Sequence, residues 1–163
     1  MTLLERVEAV LLSHGITPEH DSDDLVTYIS TGLVGSKMRI SELEGMLRCL
    51  ISTPVFVPAD RRFSIAEAIC RINWNLYGGA IEMDFEDGEL RFRNSLPILD
   101  SEFTDTQLDW LVFWSWNIVR RYISALLEVV VGACEPGLAI AKVEMGGVEV
   151  DRVEMGGGRP LIN

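Results

Sequence analysis

The segment IEMDFEDGELRFRN, residues 81–94, alternates apolar and charged side chains on both sides of Asp87-Gly88. An Asp-Gly pair between two such runs favours a two-residue type I′ turn, because both central residues of that turn need a positive φ. We therefore predict an antiparallel hairpin that turns at Asp87 and Gly88. Its strands should share one apolar face, made of Ile81, Met83, Phe85, Leu90 and Phe92.

The position of this turn also fixes the charged pairs on the other face of the hairpin. Glu82 should lie opposite Arg93, and Asp84 should lie opposite Arg91. Cross-strand pairs of opposite charge each contribute a few tenths to about 1 kcal/mol. A slip by one residue would destroy the apolar face and both ion pairs, so the sequence strongly specifies which face each side chain takes.

Upstream of the hairpin, three segments have strand character: LVTYIST (25–31), KMRISE (37–42) and MLRCLIST (46–53). Apolar residues alternate with polar ones in the last two, which predicts antiparallel strands with one solvated face. The acidic segment before them, TPEHDSDD (17–24), is interpreted as a solvated turn. Its spacing fits neither an EF-hand nor a zinc site, so we predict no metal there.

Three segments begin with the capping-box pattern, a Ser or Thr followed three residues later by Glu or Gln. They predict helices over residues 3–14, 64–77 and 104–131. The three boxes are Thr2 with Glu5, Ser64 with Glu67, and Thr104 with Gln107.

The predicted order is therefore helix, three strands, helix, hairpin and long helix, with no βαβ alternation. This order indicates an α+β fold with an antiparallel sheet of about five strands packed against helices. We assign residues 1–136 to a single domain. Residues 137–163 repeat VEMGG at 143–147 and 153–157 and are rich in glycine. They are interpreted as a flexible tail, with a tail strand that adds to a sheet edge as the alternative.

The charge of the chain limits its partners. Carboxylates outnumber Lys and Arg by 25 to 14, which gives a formal net charge of −11. Binding to phosphate backbones depends on Lys and Arg, so nucleic acid is excluded as a partner, and so is simple adsorption to an anionic membrane. Residues 108–131 are apolar, but five polar or charged residues interrupt them, which argues against a membrane span.

Cysteine usage and the N-terminal segment predict a cytoplasmic protein. Cys49, Cys70 and Cys134 are odd in number and lie in apolar context, as expected of reduced thiols. The first 15 residues lack a basic region and carry Glu5 and Glu8, so they indicate an amphipathic helix and not a signal peptide.

No motif for catalysis, phosphate binding or a cofactor is present in the sequence. Glu82 and Asp84 could resemble an acid–base pair, but their predicted arginine neighbours would keep both ionised. We therefore predict a non-enzymatic protein without a cofactor. The alternative is a small-molecule sensor or minor enzyme with a pocket between the sheet and the long helix.

The segment DWLVFWSW, residues 109–116, carries three of the four tryptophans. On a helical wheel at about 100° per residue, Trp110 and Phe113 lie on the charged face beside Asn117, and Trp114 lies at its margin. Aromatic residues among polar ones are typical of protein interfaces. We therefore predict a partner-binding surface made of Trp110, Phe113, Trp114 and Asn117. Cover within the subunit, a homodimer seam and a client-binding surface remain open as explanations.

From residue 65 to residue 132 the sequence resembles the bacterial YbjN family. The matching features are a helix ending in Asn73, Gly79-x-Ile81, the hairpin EMDFEDGELRFRNSLP, a Thr104-x-x-Gln107-Leu108 helix start, and a long apolar helix with Tyr122 near its end.

The resemblance implies a fold similar to the type III secretion chaperones, small acidic proteins that are typically homodimers and bind extended segments of client proteins. The family is described as a regulator of sensory transduction without an established enzymatic activity. We therefore expect a chaperone-like or regulatory protein whose partners are a second copy of itself and an unidentified protein client.

Overall fold

The segment 81–94 contributes to the last two strands of a six-stranded antiparallel sheet. The computed structural model describes residues 1–99 and 102–146. Its strands are β1 (Glu19–Asp21), β2 (Asp24–Ser30), β3 (Gly35–Leu43), β4 (Met46–Phe56), β5 (Ala80–Met83) and β6 (Glu89–Pro97). They are arranged in the order β1-β2-β3-β4-β6-β5. The predicted α+β class is confirmed, with one more strand than the five expected.

The additional strand is β1, where the sequence had predicted a solvated acidic turn. It pairs with β2, and Glu19 lies opposite Val26. Arg39 of β3 donates to the carboxylates of Asp21 and Asp24 at 2.6 and 2.5 Å. This bridge neutralises the acidic end of the β1–β2 hairpin, which explains why such a charged segment can pair.

The hairpin of β5 and β6 keeps the predicted apolar face at Ile81, Met83, Leu90 and Phe92, but its register differs by two residues. Phe85 and Asp84, which were predicted to lie in the first strand, belong to the loop, and Phe85 is 51% exposed. Glu82 lies opposite Arg91, and Met83 lies opposite Leu90. The prediction of a two-residue turn at Asp87-Gly88 was therefore wrong. The strands are joined by a longer loop in which Asp84 Oδ1 accepts from Glu86 N–H and Asp87 Oδ1 accepts from Glu89 N–H, both at 2.8 Å. These side-chain hydrogen bonds stabilise the larger loop.

The outer edge of β5 forms hydrogen bonds with the side chain of Asn73, in the segment that precedes this strand. Asn73 Nδ2 donates to the Ile81 carbonyl at 3.0 Å, and the Ile81 N–H donates to Asn73 Oδ1 at 2.9 Å. Both backbone groups of Ile81 are therefore satisfied by one amide.

Apart from one short 3-10 turn, the described residues form six helical segments. They are α1 (Leu3–Ser13), α2 (Arg62–Trp74), α3 (Asp105–Asp109), a π-helical segment (Trp110–Trp114), α4 (Ser115–Val130) and α5 (Pro136–Met145). The capping boxes at Thr2 and Thr104 are confirmed. The box predicted at Ser64 is wrong, because a short 3-10 turn (Ala59–Arg61) leads directly into α2 and the helix begins two residues earlier.

All the helices that contact the sheet lie on one face. Helix α4 packs on β4 and β6, α1 on β2 and β3, and α2 on β5. The core between these layers contains Val7, Leu11, Met38, Ile51, Ile72, Phe92, Leu111 and Val129. No helix of the described residues packs on the opposite face, which we call the open face.

The beginning of the predicted flexible tail is helical. Residues 137–145 belong to α5, which packs against α2 and α4 and buries Ala139 and Ile140. The prediction of a flexible chain from residue 137 onward was therefore wrong for residues 137–145. The small and apolar residues of this segment extend the helical layer. The remainder of the predicted tail, including its alternative as an added strand, lies outside the described residues.

The long helix is not one regular α-helix as predicted. Its tryptophan-rich stretch, Trp110–Trp114, is π-helical and lies between α3 and α4. The buried Ser115 hydroxyl donates to the Leu111 carbonyl at 2.5 Å and accepts from Asn94 Nδ2 at 3.3 Å. A serine that bonds back to the preceding turn disturbs regular helical bonding, which is consistent with the local change.

Candidate functional site

The four residues predicted to bind a partner lie on the π-helical segment and the first turn of α4. Trp110, Phe113, Trp114 and Asn117 are all half-buried. The structure thus places them in one short stretch, and it also gives the three aromatic rings contacts within the subunit.

Trp110 and Trp114 form a stacked pair beside the loop after α2. Their ring centroids are 5.8 Å apart, with an interplanar angle of 14°. Trp114 Nε1 donates to the Gly78 carbonyl at 3.0 Å. A Cβ on Gly78 would lie 2.7 Å from Trp110 Cη2, so only glycine admits this approach without movement.

Phe113 makes its contacts in a different direction from Trp110. Its ring lies 4.2 Å from the ring of His14 at the end of α1, and 6.0 Å from the Trp116 ring. His14 Nε2 is 3.1 Å from Asp109 Oδ1, which anchors the imidazole to the long helix. Helix α1 therefore covers part of Phe113, one of the alternatives left open by the sequence.

Trp110 and Phe113 were predicted to share the charged face of the long helix, yet they pack on different neighbours. The helical wheel assumed a constant angle per residue, whereas the π-helical segment changes that angle where these residues occur. Partner binding by Trp110, Phe113, Trp114 and Asn117 stays a prediction.

The most exposed aromatic residues were missed by the sequence analysis. Phe63 is 82% exposed, Trp74 is 88% exposed and Tyr77 is 93% exposed. On α2 the outward positions Phe63, Glu67, Cys70 and Trp74 follow helical spacing, and we call them the α2 stripe. A helical wheel for α2 could have found it, because these positions lie opposite the buried Ile65 and Ile72.

Beside the α2 stripe, α2 and α5 form a groove of about 400 Å³. Trp74, Arg71 and Cys70 line it from α2, and Ile140 and Glu144 line it from α5. Asn75 Nδ2 donates to the Glu144 carboxylate at 2.9 Å and closes one end. The groove extends the exposed aromatic surface toward α5.

The pocket expected between the sheet and the long helix is much smaller. Between β6 and α4 lies a cavity of about 10 Å³, lined by Leu90, Phe92, Val119 and Ile123. A space of this size holds about one water molecule. The location proposed for a small-molecule sensor is therefore filled by core side chains.

Burial and arginine neighbours shift the pKa values of two ionisable groups, Cys49 and Glu82. Burial raises the pKa of the Cys49 thiol to about 12, against a weaker opposing hydrogen bond with Ser115, so this thiol stays protonated. Burial alone would raise the pKa of Glu82, but its bonds to Arg93 and Arg91 outweigh this and lower the pKa. Among the described residues, no three His, Cys, Asp or Glu side chains are grouped to hold a metal ion.

None of the helices in the described part of the chain combines the length and apolarity that a membrane span requires.

Residues 3–128 match the YbjN family, described as "Putative bacterial sensory transduction regulator". No curated protein matches the sequence. Among solved structures, the chain is similar to one described as "Crystal structure of YbjN, a putative transcription regulator from E. coli", with a TM-score of 0.57 and 15% sequence identity. The similarity covers 81% of this chain and 91% of that chain, and at this identity it supports the fold alone. Because the family match spans most of the sequence, the chain belongs to the YbjN family.

Proposed function

We propose that this protein is a non-enzymatic, homodimeric regulator that binds an extended segment of a partner protein. The α2 stripe carries the proposal. Phe63 and Trp74 are more than four-fifths exposed, and large aromatic side chains so exposed are enriched where proteins bind one another. The description of the family as a regulator of sensory transduction agrees with a binding role.

The α2 stripe has the symmetry that a two-fold interface needs. In an antiparallel pair of α2 helices, Phe63 of one copy would face Trp74 of the other, and the polar Glu67 and Cys70 would lie near the centre. A two-fold contact brings the same patch of both copies together, so it requires such self-complementarity. Four aromatic side chains at about 150–250 Å² each would supply a large share of a standard interface.

The partner segment would contact Trp110, Phe113, Trp114 and Asn117. The half-buried rings of Trp110 and Trp114 adjoin Gly78, and the preceding Tyr77 is 93% exposed. Rigid rings held by subunit contacts provide binding area at a low cost in conformational entropy. An extended segment could lie along this aromatic surface.

A cytoplasmic location and protein partners complete the proposal. Cys49, Cys70 and Cys134 are all free thiols, as expected in a reducing compartment. The net charge of −11 disfavours nucleic acid and anionic membranes as partners.

Light scattering after size exclusion tests the dimer. The wild type should show about twice the chain mass of 18.2 kDa, and Phe63→Ser/Trp74→Ser should show the monomer mass. Tyr28→Ser/Phe56→Ser, which also removes two exposed aromatic side chains, should remain dimeric and serves as the control. A monomeric wild type at tens of micromolar would contradict the homodimer.

A pull-down from native cytosol tests partner binding. Trp110→Ala/Phe113→Ala should lose partners that the wild type retains. Because those side chains are half-buried, Tyr77→Ser/Asn117→Ala provides a second variant, and thermal unfolding confirms that each variant folds. If both variants retain every partner at wild-type levels, this surface does not bind them.

A further inference from the structure

The central strands of the open face carry a group of basic side chains in a protein with a net charge of −11. Five of its outward side chains are basic: Lys37, Arg39, Arg48, Arg91 and Arg93. They lie on β3, β4 and β6, which are neighbours in the sheet although β6 is distant in sequence. The fold therefore assembles a basic surface from three separate segments.

Strand pairing arranges these side chains in rows. Lys37 lies opposite Ser52, which lies opposite Arg91. In the next row, Arg39 lies opposite Leu50, which lies opposite Arg93. Rows two residues apart are separated by roughly 6.5–7 Å, which is also the spacing of alternate side chains in an extended peptide.

The carboxylates of this face lie at its margins: Glu19, Asp21 and Asp24 on β1 and β2, Glu82 on β5, and Glu89 at the start of β6. Asp21 and Asp24 are bound by Arg39. Glu82 alone accepts from Arg91 Nε at 3.0 Å and from Arg93 Nη2 at 2.6 Å. Among the described residues, Lys37 has no ion pair, and Arg48 Nε is buried without a hydrogen-bond partner. In the described part of the chain, a single carboxylate, that of Glu82, is therefore directly bound to this group of four basic residues: Lys37, Arg48, Arg91 and Arg93.

Apolar side chains lie among the basic ones on the same face. Leu50 and Met46 are half-buried between charged neighbours, and Tyr28 and Phe56 are 71% and 61% exposed. A surface that alternates basic and apolar positions fits a ligand with the complementary alternation of acidic and apolar side chains.

We propose that the open face is a second binding surface, which takes an acidic, extended protein segment. Carboxylates at alternate positions of the segment would pair with Arg48, Arg93 and Lys37, and its apolar residues would contact Leu50. Arginine binds carboxylates through two parallel hydrogen bonds. Among the described residues, the Arg48 guanidinium has no carboxylate partner, and its Nη2 donates only to Ser41 Oγ at 3.4 Å. The inference goes beyond the proposed function and does not depend on the dimer.

The overall charge favours a peptide over a nucleic acid as the ligand. A phosphate backbone carries a charge at every nucleotide and would extend past this surface, where it would meet carboxylates of a chain that has 25 in all. A short acidic segment touches only the basic rows. At about 0.1 M salt, acidic groups farther than about 10 Å away are largely screened.

Fluorescence anisotropy with three labelled probes tests the inference on the full chain. The probes are a dodecapeptide of alternating glutamate and valine, the same peptide with lysine in place of glutamate, and a twelve-residue oligothymidylate. The wild type should bind the glutamate peptide at least tenfold more tightly than either of the others. Affinity for that peptide should fall with added salt.

Lys37→Gln/Arg48→Gln should weaken glutamate-peptide binding at least tenfold. Arg120→Gln/Arg121→Gln, which removes equal charge from helix α4, should change it less than twofold. Preference for oligothymidylate would identify the face as a nucleic-acid surface and overturn the inference. A change in light-scattering mass without a change in peptide affinity would identify it as a contact between copies and also overturn it. Either result leaves the pull-down test of the proposed function intact.

Discussion

Gly88 brings the β5–β6 loop against the chain segment after β4. Its φ is +86°, and its carbonyl accepts from the Val57 N–H at 2.8 Å. A Cβ at this position would lie 2.2 Å from the Val57 carbonyl oxygen, so glycine is needed for space as well as for its backbone angle. Gly45 has a similar φ of +75° but open space around it.

Gly88→Ala should therefore lower the free energy of unfolding more than Gly45→Ala. Gly45→Ala should cost about 1–2 kcal/mol, because alanine is strained in the left-handed region. Gly88→Ala should cost about 1–3 kcal/mol more, because the backbone of Val57 must also move. Urea unfolding of both variants measures the difference, and equal losses would contradict the close approach.

Glu82 should make stability depend on acid pH. Its pKa in the folded protein lies below the usual value, so its stabilising bonds are fully present above that value and are lost as the pH falls through the folded pKa. Relative to Glu82→Gln, the wild type should be more stable by about 1 kcal/mol at neutral pH, and the difference should shrink as the pH falls below the usual pKa of glutamate. Urea unfolding at neutral and acid pH measures it, and Glu86→Gln, an exposed loop variant, is the control for the removal of a carboxylate.

At the scale of the elements, the N-terminus of α3 shows how a cap is formed. Thr104 Oγ1 accepts from the Gln107 N–H at 3.3 Å, and Gln107 Oε1 accepts from the Thr104 N–H at 2.8 Å. The same sequence pattern at Ser64 forms no cap because the helix has already begun there.

Thr104→Ala should consequently cost about 1 kcal/mol of stability, the usual value for a lost cap. Ser64→Ala should change the free energy of unfolding by less than about 0.5 kcal/mol. Urea unfolding of the two variants distinguishes a formed capping box from a mere sequence pattern. A similar loss for both would mean that the cap of α3 contributes nothing specific.

Patterns that depend on side-chain period were predictable, and features that depend on competing local bonds were not. The faces of β5 and β6 follow from strict alternation, which a register change of two residues leaves intact. The loop length was missed because Asp84 and Asp87 bond to the backbone. The positions of Trp110 and Phe113 were missed because a helical wheel cannot represent a π-helical segment.

For the whole molecule, the class of fold was predictable and its surfaces were not. The order of helices and strands is visible in the sequence, whereas the pairing of β4 with β6 brings Arg48 and Arg93 onto neighbouring strands. The sequence patterns of β4 and β6, taken separately, do not predict that these two strands are neighbours. The α2 stripe, in contrast, follows regular helical spacing, so a helical wheel of α2 predicts that Phe63 and Trp74 lie on one outward face.

The side-chain amide of Asn73 blocks the β5 edge of the sheet against pairing with a further strand. It imitates a neighbouring strand at Ile81, and β5 has only four residues, so no run of free backbone groups remains there for an incoming chain. Growth by strand pairing would have to start at β1, and a second copy added there would present its own sealed end. Assembly by strand pairing alone would therefore stop at two copies, which limits fibre formation through the edges of the sheet.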